Sequence, residues 1–452
     1  MQIQFLGATD TVTGSKYLLT HENSRVLVDC GLFQGYKQLR LRNWSPLPIS
    51  PASIDAVVLT HAHIDHSGYL PLLAREGFRG PVYCSPATYD LCKILLPDCG
   101  HLLEEEAQYL NRHKMSKHSP ALPLYTGDDA RRCLRLFKPV NYRQTWQVAD
   151  GLSATLTPSG HMAGASFVRL DNGVRSILFS GDIGRPNDLV LAAPSQMDGA
   201  DYLVVESTYG DRAHRNADVL TELAEVINRT AVRGGVVIIP AFAVGRAQSL
   251  MYCIHLLKSR HAIADLPVYL NSPMAASATG VYARHQSELR LDAAQCKALV
   301  NAAQIVHTPD DSRELNKKHG PMIIIAASGM ATGGRVLHHL KAFAPDPRNT
   351  ILFAGFQAGG TRGATISGGA ATVRIFGDDV PIRAEVASLS DLSAHSDAAE
   401  IIAWLSGFKS PPRKTFITHG EPAAADAMRQ HIERELHWLC HMPCYLESVT
   451  LD

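Results

Sequence analysis

Four groups able to hold a metal ion stand within six residues at His61-Ala62-His63-Ile64-Asp65-His66. Imidazole and carboxylate are donors that zinc accepts. An apolar run over 56–59 leads straight into this segment. His61 and His63 therefore fall in extended backbone, where alternate side chains share a face and can share one ion. The chain then turns toward a helix expected over 67–76 and closed by Gly77, so Asp65 and His66 can face a second ion. Two ions this close need more donors, and ideally a carboxylate between them. The candidates are His161 in Pro158-Ser159-Gly160-His161, Asp182 in Phe179-Ser180-Gly181-Asp182, and His419 in Ile417-Thr418-His419-Gly420-Glu421. Each follows an apolar stretch and precedes a turn. Singly each reads as a loop residue; beside the first cluster they complete a set.

The elements that must position these groups follow from hydropathy. The first thirty residues alternate apolar and polar, broken at Thr13-Gly14-Ser15 and Asn23-Ser24, which reads as antiparallel strands. Strands are expected again at 152–157, in a hairpin over 168–179 about Asp171-Asn172-Gly173, and at 201–205, ending at Glu206. The stretch 98–145 is polar and partly helical, most clearly over 103–114. After about 208 the pattern changes. Strands at 235–239, 268–270, 322–326 and 350–353 alternate with helices, which implies a parallel, doubly wound sheet with its binding loops after the strands. Near 385 short strands return. The expected division is a first part at 1–208, an inserted domain at 209–384 and a closing segment at 385–452, α/β throughout. A Gly-rich run over 355–369 suits close approach of backbone to a ligand.

Composition limits the rest. A chain of 452 residues, 46% hydrophobic and 19% charged, suits two globular domains. The first residues lack a basic stretch followed by an apolar run, and no stretch approaches the roughly 20 apolar residues of a membrane span. A cytoplasmic protein with no membrane partner is expected. Nine cysteines, an odd number in a large chain, read as reduced thiols. Lys plus Arg equals Asp plus Glu at 43 each, which excludes a whole-protein basic footprint. Attraction to nucleic acid must then come from local patches and metal charge. The basic stretch 131–138 reads as an exposed helix face. His437, Cys440, His441 and Cys444 are spaced like a small zinc site, but a strand over 438–442 beside Pro443 is the better reading.

The motifs at 61–66, 159–161, 179–182 and 418–421, in this order, resemble those of the metallo-β-lactamase fold, and Asp29 in Val28-Asp29-Cys30-Gly31 resembles its first motif. With the insertion, the chain is similar to the β-CASP branch of RNA-processing nucleases. That branch includes the endonuclease subunit of the cleavage and polyadenylation specificity factor and small bacterial RNA-degrading relatives. The resemblance implies an αββα metallo-β-lactamase fold with an inserted Rossmann-like parallel-sheet β-CASP domain. It implies two Zn(2+) ions per chain: His61, His63 and His161 on one, Asp65, His66 and His419 on the other, and Asp182 bridging. Asp29 would orient ligands. Glu206 matches the acidic motif of the branch, His395 in Leu392-Ser393-Ala394-His395-Ser396-Asp397 the second, and His419 the third. Histidine at that third position accompanies RNA-processing rather than DNA-processing members.

The implied activity is zinc-dependent hydrolysis of single-stranded RNA, internal or from an end. Asp65 and Asp182 would cancel about two of the four metal charges, and a hydroxide activated by both ions would leave about one to meet a phosphodiester. In-line attack would release a 5′-phosphate and a 3′-hydroxyl, with His395 as general acid held by Glu206. RNA is expected in a cleft between the domains, on Arg246, Ser328, Gly329, Arg335, Thr361 and Arg362. The alternatives are a DNA nuclease, a small-molecule metallohydrolase of the same superfamily and a non-catalytic RNA-binding scaffold. A homodimer is among the assemblies left open.

Overall fold

A computed structural model of the chain describes residues 1–214, 218–355, 357–389 and 392–452. These divide into two compact units: residues 1–187, 193–213 and 395–452 form the first, and 188–192 with 214–394 the second.

The first unit holds two seven-stranded sheets. One runs, in spatial order, Ser448–Thr450, Gln2–Phe5, Tyr17–His21, Ser24–Val28, Ala56–Val58, Val82–Cys84 and Phe137–Pro139. The other runs Cys440–His441, Lys414–Thr418, Tyr202–Glu206, Ser176–Phe179, Ser166–Asp171, Leu152–Pro158 and Thr145–Ala149. Alternation along the strands sends one set of side chains inward. Ile3, Phe5, Val26, Val28 and Val58 meet Leu156, Val168, Leu170, Phe179, Val204 and Phe416 in a single apolar layer. Burying each such side chain is worth about 1.5–3 kcal/mol, so this layer outweighs any one polar contact.

The alternate residues Leu178, Leu203, Val205 and Ile417 face outward, against Ile401, Trp404 and Leu405 of helix Ala398–Ser406 and Met428 and Ile432 of helix Pro422–Glu435. Helix Pro86–Arg112 packs against Phe137–Pro139 on the other sheet. The order is αββα, as the motifs imply. The helix expected over 103–114 is the end of this longer one, which starts where Ser85 accepts the Thr88 N–H. The helix expected over 67–76 begins earlier, as two turns, Ile64–Ser67 and Leu70–Arg75.

Strand register decides where the site lies. Ser176–Phe179, Tyr202–Glu206 and Lys414–Thr418 are parallel neighbours with Phe179 opposite Val204 and Glu206 opposite Thr418. They end at one edge, and the chain leaving it carries Asp182, Glu206 and His419. In the other sheet Val28 lies opposite Val58, so Asp29 and His61 also emerge together. Two glycines let these turns touch. A Cβ on Gly31 would lie 1.5 Å from the Asp65 carbonyl oxygen, and one on Gly184 would lie 2.0 Å from that of Gly160.

The second unit is built on six parallel strands, in the order Gln304–Ile305, Val268–Asn271, Met322–Ala326, Val236–Pro240, Thr350–Ala354 and Glu385–Leu389. Both faces are covered, which explains the unbroken apolar runs. Ile239, Leu270, Ile325 and Leu352 enter one core, and Ile238, Ile324, Ile351 and Phe353 the other. The unit closes at Ala394 rather than near 385, because Glu385–Leu389 pairs along its length with Thr350–Ala354. As a partly exposed edge strand it reads from sequence like a surface strand. Phe356 of the Gly-rich run lies outside the described residues. Among the described residues no helix is long and apolar enough to cross a membrane.

Candidate metal centre

Every group of the expected ligand set reaches one small volume of the first unit. His61 Nε2 lies 3.0 Å from His63 Nδ1, which lies 3.3 Å from His161 Nε2. Three ring nitrogens this close cannot all be satisfied by shared protons. Ligands of tetrahedral zinc, at about 2.0–2.1 Å from the ion, stand roughly 3.3 Å apart. Beside them, His66 Nε2 and His419 Nε2 are 3.1 Å apart, and Asp65 Oδ2 lies 3.9 and 3.5 Å from them.

Asp182 joins the two groups. Its Oδ2 is 3.5 Å from His61 Nε2 and 3.4 Å from His161 Nε2. Its Oδ1 is 3.3 Å from His66 Nε2 and 3.6 Å from His419 Nδ1. Oδ1 is buried with no hydrogen-bond partner among the described residues, as suits an oxygen that meets a cation. The donor set and its spacing fit a pair of divalent ions.

The surroundings aim the lone pairs inward. Asp29 accepts the Thr60 N–H at 2.7 Å and the Thr60 hydroxyl at 2.8 Å. That hydroxyl is thereby free to accept from His61 Nδ1, 3.0 Å away. Asp29 also accepts from His66 Nδ1 at 2.8 Å. One carboxylate thus fixes the tautomer of a ligand in each group, leaving both Nε2 lone pairs for metal. Burial pushes the pKa of His61, His63 and His161 down, which keeps them neutral donors. Burial pushes His66 the same way, but the Asp182 and Asp29 carboxylates outweigh it and raise its pKa well above the ordinary value. The Asp29→Asn variant is expected to weaken metal binding about ten- to a hundred-fold, read by competition with a chromogenic chelator. Unchanged affinity would remove Asp29 from this role.

His395 and Glu206 stand beside these groups, His395 partly exposed and Glu206 buried. His395 Nδ1 lies 3.0 and 3.2 Å from the two Glu206 oxygens, and its Nε2 lies 3.8 Å from Asp182 Oδ2. Glu206 is locked by the Ile183 N–H on one oxygen and the Thr208 hydroxyl on the other, both at 2.6 Å. Burial would lower the pKa of His395, but Glu206 and then Asp182 raise it to about 9.

A family model described as the metallo-beta-lactamase superfamily matches residues 10–224. The Beta-Casp domain matches 247–366, and the Zn-dependent metallo-hydrolase RNA specificity domain 379–443. The chain is 38% identical over 428 residues to ribonuclease TTHA0252 of Thermus thermophilus, covering 93% of each. The chain belongs to the β-CASP branch of the metallo-β-lactamase superfamily. It is 30% identical to transcription termination factor FttA of Methanocaldococcus jannaschii, over 100% of this chain and 72% of that one. A protein of unknown function from Enterococcus faecalis shares the fold at a TM-score of 0.55 and 12% identity, covering 100% of this chain and 99% of that one. As a β-CASP protein the chain is a metal-dependent hydrolase, and its histidine and aspartate groups stand at spacings suited to holding metal.

The residues expected to grip substrate lie in the second unit, where Pro240, Asn271, Ala326 and Ala354 end their strands at one edge. Arg246 opens helix Arg246–Ser259 beside Gly355, to which its guanidinium is close enough that a Cβ there would lie 3.4 Å away. Ser328 and Thr332 share a hydroxyl contact at 2.9 Å, and the Gly329 carbonyl accepts from Gln357 at 3.2 Å. Thr361 caps helix Arg362–Ser367. Arg335 donates to Asn271 and to the Val306 and His307 carbonyls, each at 2.9 Å. Arg362 donates to the carbonyls of Arg374 at 2.8 Å and Thr332 at 3.1 Å. Both guanidinium groups are engaged in holding loops together. His441, of the 437–444 group read as a strand, lies in strand Cys440–His441 and pairs with Glu447 at 2.6 Å.

Proposed function

We propose that this protein is a dizinc ribonuclease that hydrolyses phosphodiester bonds of single-stranded RNA. The observation that carries the reading is Asp182, with one oxygen toward each imidazole group and the His395–Glu206 pair beside it. Zinc bound by His61, His63, His161 and Asp182, and by Asp65, His66, His419 and Asp182, would supply Lewis acidity that activates water at neutral pH and draws charge from phosphoryl oxygens.

The chain's own groups do the rest. Asp65 and Asp182 bring two negative charges to a buried site and so set what surplus of positive charge is left for a phosphodiester. Glu206 binds His395 through Nδ1, so Nε2 faces the centre. From there the imidazolium gives its proton to the departing ribose oxygen, leaving a 3′-hydroxyl as water adds to phosphorus to form the 5′-phosphate. His395 takes a proton back from solvent before the next turnover.

RNA rather than DNA is supported by the relative named as a ribonuclease, by the RNA specificity match at 379–443 and by His419 at the third motif. Ser328 and Gly329, with Arg246 and the loops that Arg335 and Arg362 hold, are proposed to meet RNA phosphates through backbone amides, the Ser328 hydroxyl and the Arg246 guanidinium, while the buried Thr361 hydroxyl is taken up by Ala358 and Ala364. The test is cleavage of end-labelled single-stranded RNA beside DNA of matched sequence, with chelator and with zinc restored. A ladder from RNA that chelator abolishes and zinc restores is expected. Cleavage indifferent to chelator, or equal cleavage of DNA, would overturn the reading.

A further inference from the structure

The first unit carries an exposed strip that the centre itself does not use. Between Asp29 and Asp55 the chain has no acidic residue and three cations, Lys37, Arg40 and Arg42. They fall on or beside helix Lys37–Arg42, none of whose residues is buried. Six residues do not make a stable helix alone, and helices normally persist by burying an apolar face. This one leaves its face open. Tyr36, Leu41 and Trp44 are 52%, 56% and 59% exposed, a clustering of large side chains that solvent does not favour.

The strip is nevertheless firmly rooted. Asn43 is buried and clamps Phe33, accepting its N–H at 2.9 Å and donating to its carbonyl at 2.8 Å. The Arg42 guanidinium lies 4.2 Å from the Tyr445 ring centre and 5.5 Å from that of Phe33. Just before the strip, Leu32 donates to the Ile64 carbonyl at 2.9 Å and Cys30 to that of His66 at 2.7 Å. The support of the strip is therefore hydrogen-bonded to the backbone that carries the metal-binding residues.

We propose that residues 36–44 form a holding surface for single-stranded RNA, with bases stacked on Trp44 and Tyr36 and phosphates met by Lys37 and Arg40. This rests on the ribonuclease reading. Exposed aromatic rings interleaved with cations and free of acids match a flexible polyanion with stacking bases. They also answer how a chain of zero net charge gathers RNA: the charge is local. Preformed backbone spares the bound strand the entropy of ordering its support.

The test uses a phosphorothioate oligoribonucleotide, which resists cleavage, titrated against the metal-loaded protein at several salt concentrations. Among the described residues Trp44 is the one exposed tryptophan, so the change in fluorescence on binding is read mainly from it and should be lost in Trp44→Phe. Trp44→Ala should weaken binding roughly ten-fold. Replacing Lys37 and Arg40 together by alanine should flatten the slope of log K against log salt by about 1.4, at roughly 0.7 per cation. Wild-type cleavage of RNA with binding and slope unchanged in both variants would overturn the strip while leaving the ribonuclease intact. Failure of the wild type to cleave RNA would instead sink the ribonuclease reading, whatever the variants bind. Sedimentation of each variant is measured alongside. A change in oligomeric state with unaltered RNA affinity would make the strip a contact between copies and overturn the proposal.

Discussion

Asp182→Asn is expected to lower RNA hydrolysis at least about a thousand-fold and to leave one bound metal ion or none, against the two that the proposed function assigns to each chain. The substitution keeps the shape of the side chain and removes one negative charge. That charge sits 3.3–3.5 Å from the Nε2 atoms of His61, His66 and His161, in a side chain only 2% exposed. No water can take its place. The surrounding imidazoles hold the Asp182 carboxyl well below the ordinary carboxylate range, against the effect of burial, so the ionised form is the one present. An amide offers one oxygen where two are needed, and it presents N–H groups to ring nitrogens or to a cation. Metal analysis by mass spectrometry with a turnover assay reads both losses. A variant with full metal and near-normal turnover would end the bridging role.

His395→Ala should lower turnover by about 10²- to 10⁴-fold while metal content stays at the wild-type level, the signature of a lost general acid. Glu206→Gln separates this role from packing. His395 has its pKa raised to about 9, so it carries its proton below that pH and loses it above. Acid catalysis is then present at neutral pH and fails on the alkaline side. Removing the Glu206 charge withdraws the main force that raises the pKa, and burial then pulls it down. The alkaline limb of kcat/KM should move to lower pH by about one to two units. A limb that stays in place in Glu206→Gln would show that another group sets it.

Much of the centre is legible in the sequence because its residues sit where apolar runs stop. His61, Asp182 and His419 each follow a strand and Glu206 ends one, and register fixes those ends, so spacing along the chain translates into proximity. The inserted parallel sheet is legible for a related reason: strands buried on both faces leave unbroken apolar runs. The strand Glu385–Leu389 is not, since an edge strand with exposed positions lacks such a run. Arg335 and Arg362 read from sequence as phosphate ligands. The carbonyls that take up their donors belong to Val306, His307, Thr332 and Arg374, distant along the chain and without any side-chain signature. Tyr36, Leu41 and Trp44 carry no such signal, because aromatic and aliphatic residues in mixed spacing suggest a core, and the fold turns them to solvent.

The two imidazoles that meet at 3.1 Å, His66 and His419, are 353 positions apart, and the strand Gln2–Phe5 is flanked by Ser448–Thr450. During translation, then, the growing polypeptide exposes Asp65 and His66 long before the residue that completes their pocket has been joined to it. The pocket around Asp65 and His66 therefore stays incomplete at least until residue 419 has been synthesised.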